Sequence, residues 1–100
     1  MTITTIRENN QITLKLDGWL DTLSAPELEA VVETLEPASA LILDFDQVEY
    51  ISSAGLRQVV ASSKKAKELN ASFAVINAHT ETMSIFQLTG IDKKLDIRKK

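Results

Sequence analysis

Hydrophobic and polar positions at the start of the chain alternate with the period of β-strands. Residues 2–6 and 12–16 are rich in β-branched and apolar side chains, and the polar run 8–11 between them suits a reversing turn. Apolar residues at 12, 14 and 16 alternate with polar ones, which is typical of a strand with one buried face. The pattern predicts an antiparallel hairpin whose second strand ends at Gly18.

A helical pattern follows the hairpin. Ser24 is a favourable N-cap, Pro26 is tolerated in a first turn, and Glu27 stands at the spacing that closes a capping box with the serine. Apolar residues at 28, 31, 32 and 35 then fall on one helical face, and Pro37 ends the helix. We predict a helix that begins at Ser24.

A buried strand, a loop and a second helix are predicted for the middle of the chain. Residues 40–43 form a continuous apolar run, which favours a central strand covered on both faces. Polar residues follow this run from Asp44, and a helical pattern then extends to about Leu69.

The remaining third repeats the same alternation. Residues 73–76 predict another buried strand, residues 79–88 an amphipathic helix that ends near Gly90, and residues 95–97 a short final strand. Parallel strands joined by helices cross over right-handedly. The predicted fold is therefore α/β: a small mixed sheet of about four to five strands, with an N-terminal antiparallel hairpin followed by β-α-β crossovers and packed helices.

Composition narrows the class of protein. The chain has 100 residues, of which 44% are hydrophobic and 25% charged, so we expect a single globular domain over residues 1–100. It contains no Cys and one His, which excludes a disulfide framework and a thiolate or imidazole metal site. We expect no cofactor and no metal. Because no apolar run is long enough for a membrane span and no signal peptide is evident, we expect a cytoplasmic protein.

Charge is distributed unevenly along the chain. Residues 1–50 carry two basic and ten acidic side chains, whereas residues 51–100 carry nine basic and four acidic ones. An isoelectric point near 5.1 argues against nucleic-acid binding, which needs many clustered cations. Two interpretations of the asymmetry stay open: the charges mix on solvated faces of the fold, or an acidic patch docks a basic partner.

The sequence does not favour an enzyme. Ser52, Ser53 and His79, with several aspartates, supply the residue types of a hydrolase triad, but neither serine has the preceding Gly of a nucleophile elbow. A P-loop and a dinucleotide-binding glycine motif are both absent. We expect no catalytic residue and a surface or helix-N-terminal position for His79. Trp19 and Tyr50 either pack in the core or serve as loop anchors or contact residues.

Ser52 and Ser53 stand at the predicted start of a helix, after a buried strand. Free backbone N–H groups and the positive end of the helix dipole meet at such a point, so a hydroxyl can cap the helix and a phosphate would be stabilised. Phosphorylation would add about −1.5 to −2 charges. A pure capping role and a phosphorylation switch at Ser53 both remain open. Gly55, in the first turn, would let a partner approach closely.

Two segments resemble the STAS family of anti-sigma-factor antagonists. Residues 44–56, which end in Ser52-Ser53-Ala54-Gly55-Leu56, are similar to the family signature, in which a strand-ending Asp leads to Asp-Ser-Ser/Thr/Ala-Gly-Leu. Residues 18–28 are similar to the family's earlier Gly-x-Leu-Asp-x-x-x-Ala-x-x-Leu segment, and residues 86–91 to its closing helix. The resemblance covers almost the whole chain. This chain departs from the signature with Ser52 in place of Asp and with Ala54 after the second serine.

The resemblance implies a partner-switching role. The dephosphorylated antagonist binds an ATP-dependent anti-sigma factor, a serine kinase, and frees a sigma factor; phosphorylation releases it, and a PP2C-type phosphatase reverses the modification. By motif alignment the phosphorylated serine is Ser53, with Ser52 as second choice, and the partner-binding residues are Asp21, Ser52, Ser53, Gly55 and Leu56. The alternative is a constitutive STAS adaptor subunit of a transport or signalling scaffold, without phosphorylation control. We expect a monomer or weak dimer.

Overall fold

The computed structural model describes residues 1–100, which form five strands, three α-helices and one short 3-10 helix. In chain order these are β1 (Thr2–Glu8), β2 (Gln11–Leu20), α1 (Ala25–Glu33), β3 (Ala40–Ile51), α2 (Ser53–Glu68), β4 (Ser72–Ala78), α3 (Thr80–Thr89), the 3-10 helix (Ile91–Lys93) and β5 (Asp96–Lys99).

The five strands form one mixed sheet in the order β1-β2-β3-β4-β5. β1 and β2 are antiparallel, whereas each later neighbour pairs in parallel. The predicted α/β fold, with its N-terminal hairpin and β-α-β crossovers, is confirmed. The final strand lies slightly later than residues 95–97, because Leu95 still belongs to the turn that follows the 3-10 helix.

A two-residue turn closes the hairpin. Asn9 and Asn10 both have positive φ, at 50° and 63°, the backbone combination whose twist matches that of the flanking strands. Asparagine tolerates this left-handed conformation better than other residues that carry a Cβ. The turn therefore sits within the predicted polar run 8–11.

The predicted end of β2 at Gly18 is wrong, because the strand continues to Leu20. Gly18 has a φ of +117°, a conformation that L side chains rarely adopt, and the pairing with β3 shifts register directly after it. Gly18 thus allows a local irregularity within the strand.

All three helices lie on one face of the sheet. Strand order equals chain order from β2 onward, so right-handed crossovers place every helix on the same side. Leu28 of α1 and Val59 of α2 belong to the same core cluster as the inward side chains of β2 and β3. Phe86 of α3 packs against Phe45 of β3, with ring centroids 5.9 Å apart. The opposite surface, here called the open face, includes Trp19 and carries no helix.

The helices are short. The longest, α2, has 16 residues, and none combines the length and apolar character that a membrane-spanning helix requires.

Candidate functional site

The carboxyl ends of β2 and β3 bring two strand-to-helix junctions together. Leu20 and Ile51 are paired in the sheet, and the amide of Ser52 donates a 2.9 Å hydrogen bond to the Leu20 carbonyl. Asp21 follows Leu20 directly. The two segments that carry the sequence motifs therefore meet at one edge of the sheet.

The two serines have different structural roles. Ser52 is the N-cap of α2: its backbone is extended, and its Oγ accepts a 3.2 Å hydrogen bond from the Gly55 amide. Ser53 is the first residue of the helix, its side chain is exposed, and its hydroxyl makes no hydrogen bond within the chain. Because Ser52 already caps the helix, the Ser53 hydroxyl is available to another molecule.

Gly55 allows α2 to lie against the end of β2. A Cβ added at this position would clash with the backbone carbonyl oxygen of Leu20 and lie 2.9 Å from the Ile51 side chain. Real Cβ atoms are essentially never that close to another heavy atom. We therefore attribute this glycine to close packing within the chain, and Gly55 is itself buried.

Asp21 and Ser24 close the turn that precedes α1 with reciprocal hydrogen bonds. The Asp21 Oδ1 accepts from the Ser24 amide at 3.1 Å and from the Leu23 amide at 3.0 Å, while the Asp21 amide donates to the Ser24 Oγ at 2.9 Å. The Ser24 hydroxyl in turn donates to the Trp19 carbonyl at 2.5 Å. This is a capping box that begins at Asp21.

The predicted capping box of Ser24 and Glu27 is wrong. The Ser24 side chain makes no cap hydrogen bond to its own helix, and the first helical bond already runs from the Ala25 amide to the Asp21 carbonyl. Ser24 is nonetheless the N-cap of α1, as predicted, and the helix runs from Ala25. Asp21 and Ser24 have the same three-residue spacing as Ser24 and Glu27, so the sequence alone does not decide which pair forms.

Hydrogen bonding also favours the charged form of Asp21. The backbone amide of Ser24, together with the Ser24 hydroxyl and the Leu23 amide, holds the pKa of the Asp21 carboxyl below its usual value. The side chain is only half-buried, so it presents a negative charge at the junction beside Ser52.

Leu56 and Ser53 line an apolar groove of about 510 Å³ between α2 and the end of α3 with the residues that follow it. Val60 and Ala61 continue the α2 side of the groove at helical spacing, and Thr89 and Ile91 form the opposite wall. Arg57 and Lys64 are its charged residues. Leu56 therefore connects the serine junction with an apolar, positively charged surface.

His79 does not assemble a triad with the serines. It is the N-cap of α3, as its predicted helix-N-terminal position implied, and its Nε2 lies 2.6 Å from the backbone carbonyl oxygen of Asp46. No hydrogen bond joins His79 to Ser52 or Ser53. No group of three or more His, Cys, Asp or Glu side chains is placed to hold a metal ion.

Trp19 and Tyr50 lie outside the core, at the end of the open face. Their rings are tilted by 54° with centroids 5.4 Å apart, and 56% of Trp19 and 49% of Tyr50 are exposed. The Trp19 Nε1 donates to the Glu49 carboxylate at 3.3 Å. The core-packing interpretation of these two aromatics is therefore wrong.

The position of Glu49 could not be predicted from the sequence. Gly18 pairs with Val48, whereas Trp19 pairs with Tyr50, so β3 has one extra residue at Glu49. Such a bulge redirects the side chains around it. Sequence periodicity does not reveal it, because a bulge depends on how the partner strand is paired.

These features define a small α/β domain with a capped, serine-bearing strand-to-helix junction. A family model described as "Mlab, STAS domain" matches residues 3–98, and the chain belongs to the STAS-domain family. The predicted resemblance to this family is confirmed.

Similar proteins carry antagonist names. The anti-sigma-B factor antagonist of Bacillus subtilis is 30% identical over 97 residues, covering 95% of this chain and 89% of that protein. The anti-sigma-F factor antagonist RsfB of Mycobacterium tuberculosis is 28% identical over 95 residues, covering 93% and 77%. An anti-sigma factor antagonist structure from Mycobacterium paratuberculosis superposes with a TM-score of 0.88 at 25% identity, covering 99% of this chain and 86% of that one.

Proposed function

We propose that this protein is an anti-sigma-factor antagonist controlled by phosphorylation of Ser53. In its dephosphorylated form it binds an ATP-dependent anti-sigma factor, a serine kinase, and thereby frees a sigma factor. Phosphorylation by that kinase releases the complex, and a PP2C-type phosphatase restores binding. The protein acts by binding and performs no catalysis itself.

One observation carries this proposal: Ser53 has an exposed, unbonded hydroxyl at the start of α2 while its neighbour Ser52 supplies the cap. A kinase can modify Ser53 without removing the hydrogen bond that stabilises the helix end. Ser52 is the less favourable site of phosphorylation, because its side-chain oxygen already accepts a hydrogen bond from the Gly55 amide.

The surroundings of Ser53 would make a phosphate on this residue effective in weakening partner binding. The positive end of the α2 dipole stabilises a dianion at the first helical position. The neighbouring junction already carries the ionised Asp21, so phosphorylation would concentrate negative charge on one surface. A partner whose binding surface complements the unmodified junction would meet both repulsion and added bulk. Asp21, Ser52, Ser53 and Leu56 form this proposed partner surface, which Gly55 supports.

The test begins with protein purified from its native host, with its phosphosites mapped and the bound ATP-dependent kinase identified. With that kinase, Ser53→Ala should retain binding and abolish phosphorylation, while Ser53→Asp should weaken binding at least about tenfold, which is about 1.4 kcal/mol. Ser63→Ala, at another α2 serine, is the matched control and should behave like the wild type.

Wild-type affinity in Ser53→Asp would contradict the switch. If both Ser53 variants also bound a transporter or scaffold subunit within about 0.5 kcal/mol of wild type, the protein would instead be a constitutive adaptor.

A further inference from the structure

An exposed aromatic patch stands apart from the Ser53 hydroxyl. It consists of Trp19, Tyr50 and Glu49, at the carboxyl ends of β2 and β3 on the open face, and is called the aromatic patch below. About half of the surface of each of these two residues is exposed, although side chains of this size gain from burial. Partly exposed Trp and Tyr side chains of this kind are common anchors in protein–protein interfaces.

The patch is held in a defined geometry. The bulge in β3 brings Glu49 and Tyr50 beside Trp19, and one Glu49 oxygen, Oε2, accepts from the Trp19 indole at 3.3 Å. The other oxygen, Oε1, makes no hydrogen bond within the chain. A carboxylate oxygen therefore stands free beside two aromatic rings.

The charge around the patch selects for a cation. Glu49 lines a pocket together with Asp46 and Glu81. Trp19 lines a second pocket with Asp21 and Glu27, and the Met1 ammonium, which also lies there, pairs with Glu27 at 3.7 Å. Aromatic rings attract cations at their faces, and a nearby carboxylate strengthens that attraction. Between the two basic side chains, arginine fits better, because its planar guanidinium can stack on a ring and still donate in the ring plane to an oxygen.

We propose that the aromatic patch binds an arginine side chain presented by a basic segment of the protein partner. The guanidinium stacks on Trp19 or Tyr50 and donates to the free Glu49 oxygen. The aromatic patch is connected to the Ser53 junction by Leu20. This residue follows Trp19, and its carbonyl oxygen accepts a hydrogen bond from the Ser52 amide. The inference deepens the proposed function by giving the chemistry of the partner, and it rests on that function only for the partner's identity.

The test uses short peptides, because they need no knowledge of the partner. Capped Gly-Arg-Leu-Arg-Gly, with lysine and citrulline versions of the same peptide, is titrated into the full chain. Trp19 is the only tryptophan, so its indole N–H signal in a ¹⁵N NMR spectrum reports binding at the patch directly. The arginine peptide should shift this signal saturably, at least about threefold more tightly than the lysine peptide. The neutral citrulline peptide should not bind.

Variants localise the effect. Glu49→Gln should weaken arginine-peptide binding at least about threefold, and Tyr50→Ala more, whereas Tyr50→Phe should keep it. Leu88→Ala is the matched control, since Leu88 is an apolar residue that is 87% exposed on α3, and should change nothing. Thermal unfolding of each variant checks that it is folded.

Equal binding of the arginine, lysine and citrulline peptides would overturn the proposal. So would signal shifts confined to the exposed α1 residues Glu27, Glu29 and Glu33, or no binding at all. These outcomes are independent of Ser53. A chain that is never phosphorylated at Ser53 but binds the arginine peptide would refute the switch alone. A chain that switches at Ser53 but does not bind the peptide would refute the patch alone.

Discussion

The backbone amide of Ser52 lies 2.9 Å from the carbonyl oxygen of Leu20, and this bond joins the β3–α2 junction to the β2–α1 junction. Two segments some thirty residues apart in the sequence are thereby held as one surface, with Asp21 on one side and Ser53 on the other. Because both atoms belong to the main chain, the link does not depend on which side chains occupy either junction. A modification of the Ser53 side chain would therefore leave this link intact.

Gly55→Ala tests the close packing of α2 on β2. In an unobstructed helix this change stabilises by about 0.5–1 kcal/mol, but here the new Cβ would clash with the Leu20 carbonyl oxygen. We expect a net loss of about 1–3 kcal/mol, measured by urea unfolding. Ala61→Gly, at an exposed α2 position, is the control and should lose about 1 kcal/mol from helix propensity alone. A Gly55→Ala variant as stable as the wild type would contradict the clash.

The different roles of Ser52 and Ser53 can be separated by stability. Ser52→Ala removes the oxygen that accepts from the Gly55 amide, so it should cost about 1 kcal/mol in the free energy of unfolding. Ser53→Ala removes an exposed hydroxyl without a partner and should stay within about 0.5 kcal/mol of wild type. Ser52→Asp should recover most of the loss, because aspartate is also a good cap. The opposite order of the two alanine variants would mean that Ser53 is the cap.

The lowered pKa of Asp21 makes the stability of the fold depend on pH in a definite direction. Its carboxyl pKa is lowered by hydrogen bonds, chiefly from the Ser24 amide, relative to the ordinary value of 3.8. The resulting stabilisation is fully present above pH 3.8 and is lost as the pH falls through the lower, folded-state pKa. Carboxyl ¹³C NMR should find the Asp21 midpoint below 3.8, and Ser24→Ala should raise it by removing the hydroxyl contribution.

Asp96 provides the internal control for that titration. Its pKa is lowered by Arg98, whose guanidinium donates to the Asp96 carboxylate, so it should not respond to Ser24→Ala. Equal movement of both midpoints would indicate a global change in the protein rather than loss of the hydrogen bond at Asp21.

Leu43→Ala separates the fold from the function. Leu43 is fully buried in the core between the sheet and the helices, so truncation should cost about 2–5 kcal/mol. Ile42, its neighbour, lies on the open face and is only half-buried, so Ile42→Ala should cost clearly less. The folded fraction of Leu43→Ala should bind the proposed kinase partner as tightly as the wild type does. A specific loss of binding would mean that the core also shapes the partner surface.

The sequence predicts the sheet and its helices well, because the spacing of hydrophobic positions indicates which face of a strand or helix is buried. The apolar run 40–43 located the central strand, for example, but gave no sign that β3 continues to Ile51. Polar Asp44 and Asp46 resembled the end of the strand, whereas they lie on its open face, and β3 carries two register shifts against β2. Which residues a bulge displaces depends on both strands at once.

Prediction of the candidate site from the sequence has the same limit. The motifs placed Asp21 and Ser53 in adjacent loops, but the cap at Ser52, the reciprocal bonds of Asp21 with Ser24 and the contact of Trp19 with Glu49 all depend on backbone angles or tertiary pairing. Where several Ser, Asp and Glu residues stand at capping distance, local preference alone does not decide which pair forms.

The strand order also bears on how the chain assembles. From β1 to β5, every strand pairs with the one made just before it, so no strand has to be inserted between two that are already joined. During synthesis the domain can grow from its N-terminal edge, one β-α unit at a time, and each unit covers part of the apolar face of the last. β5, with four residues at the far edge, completes the sheet last and has only one neighbour to hold it. We expect amide hydrogen exchange to find its opening the least costly among the parallel strands.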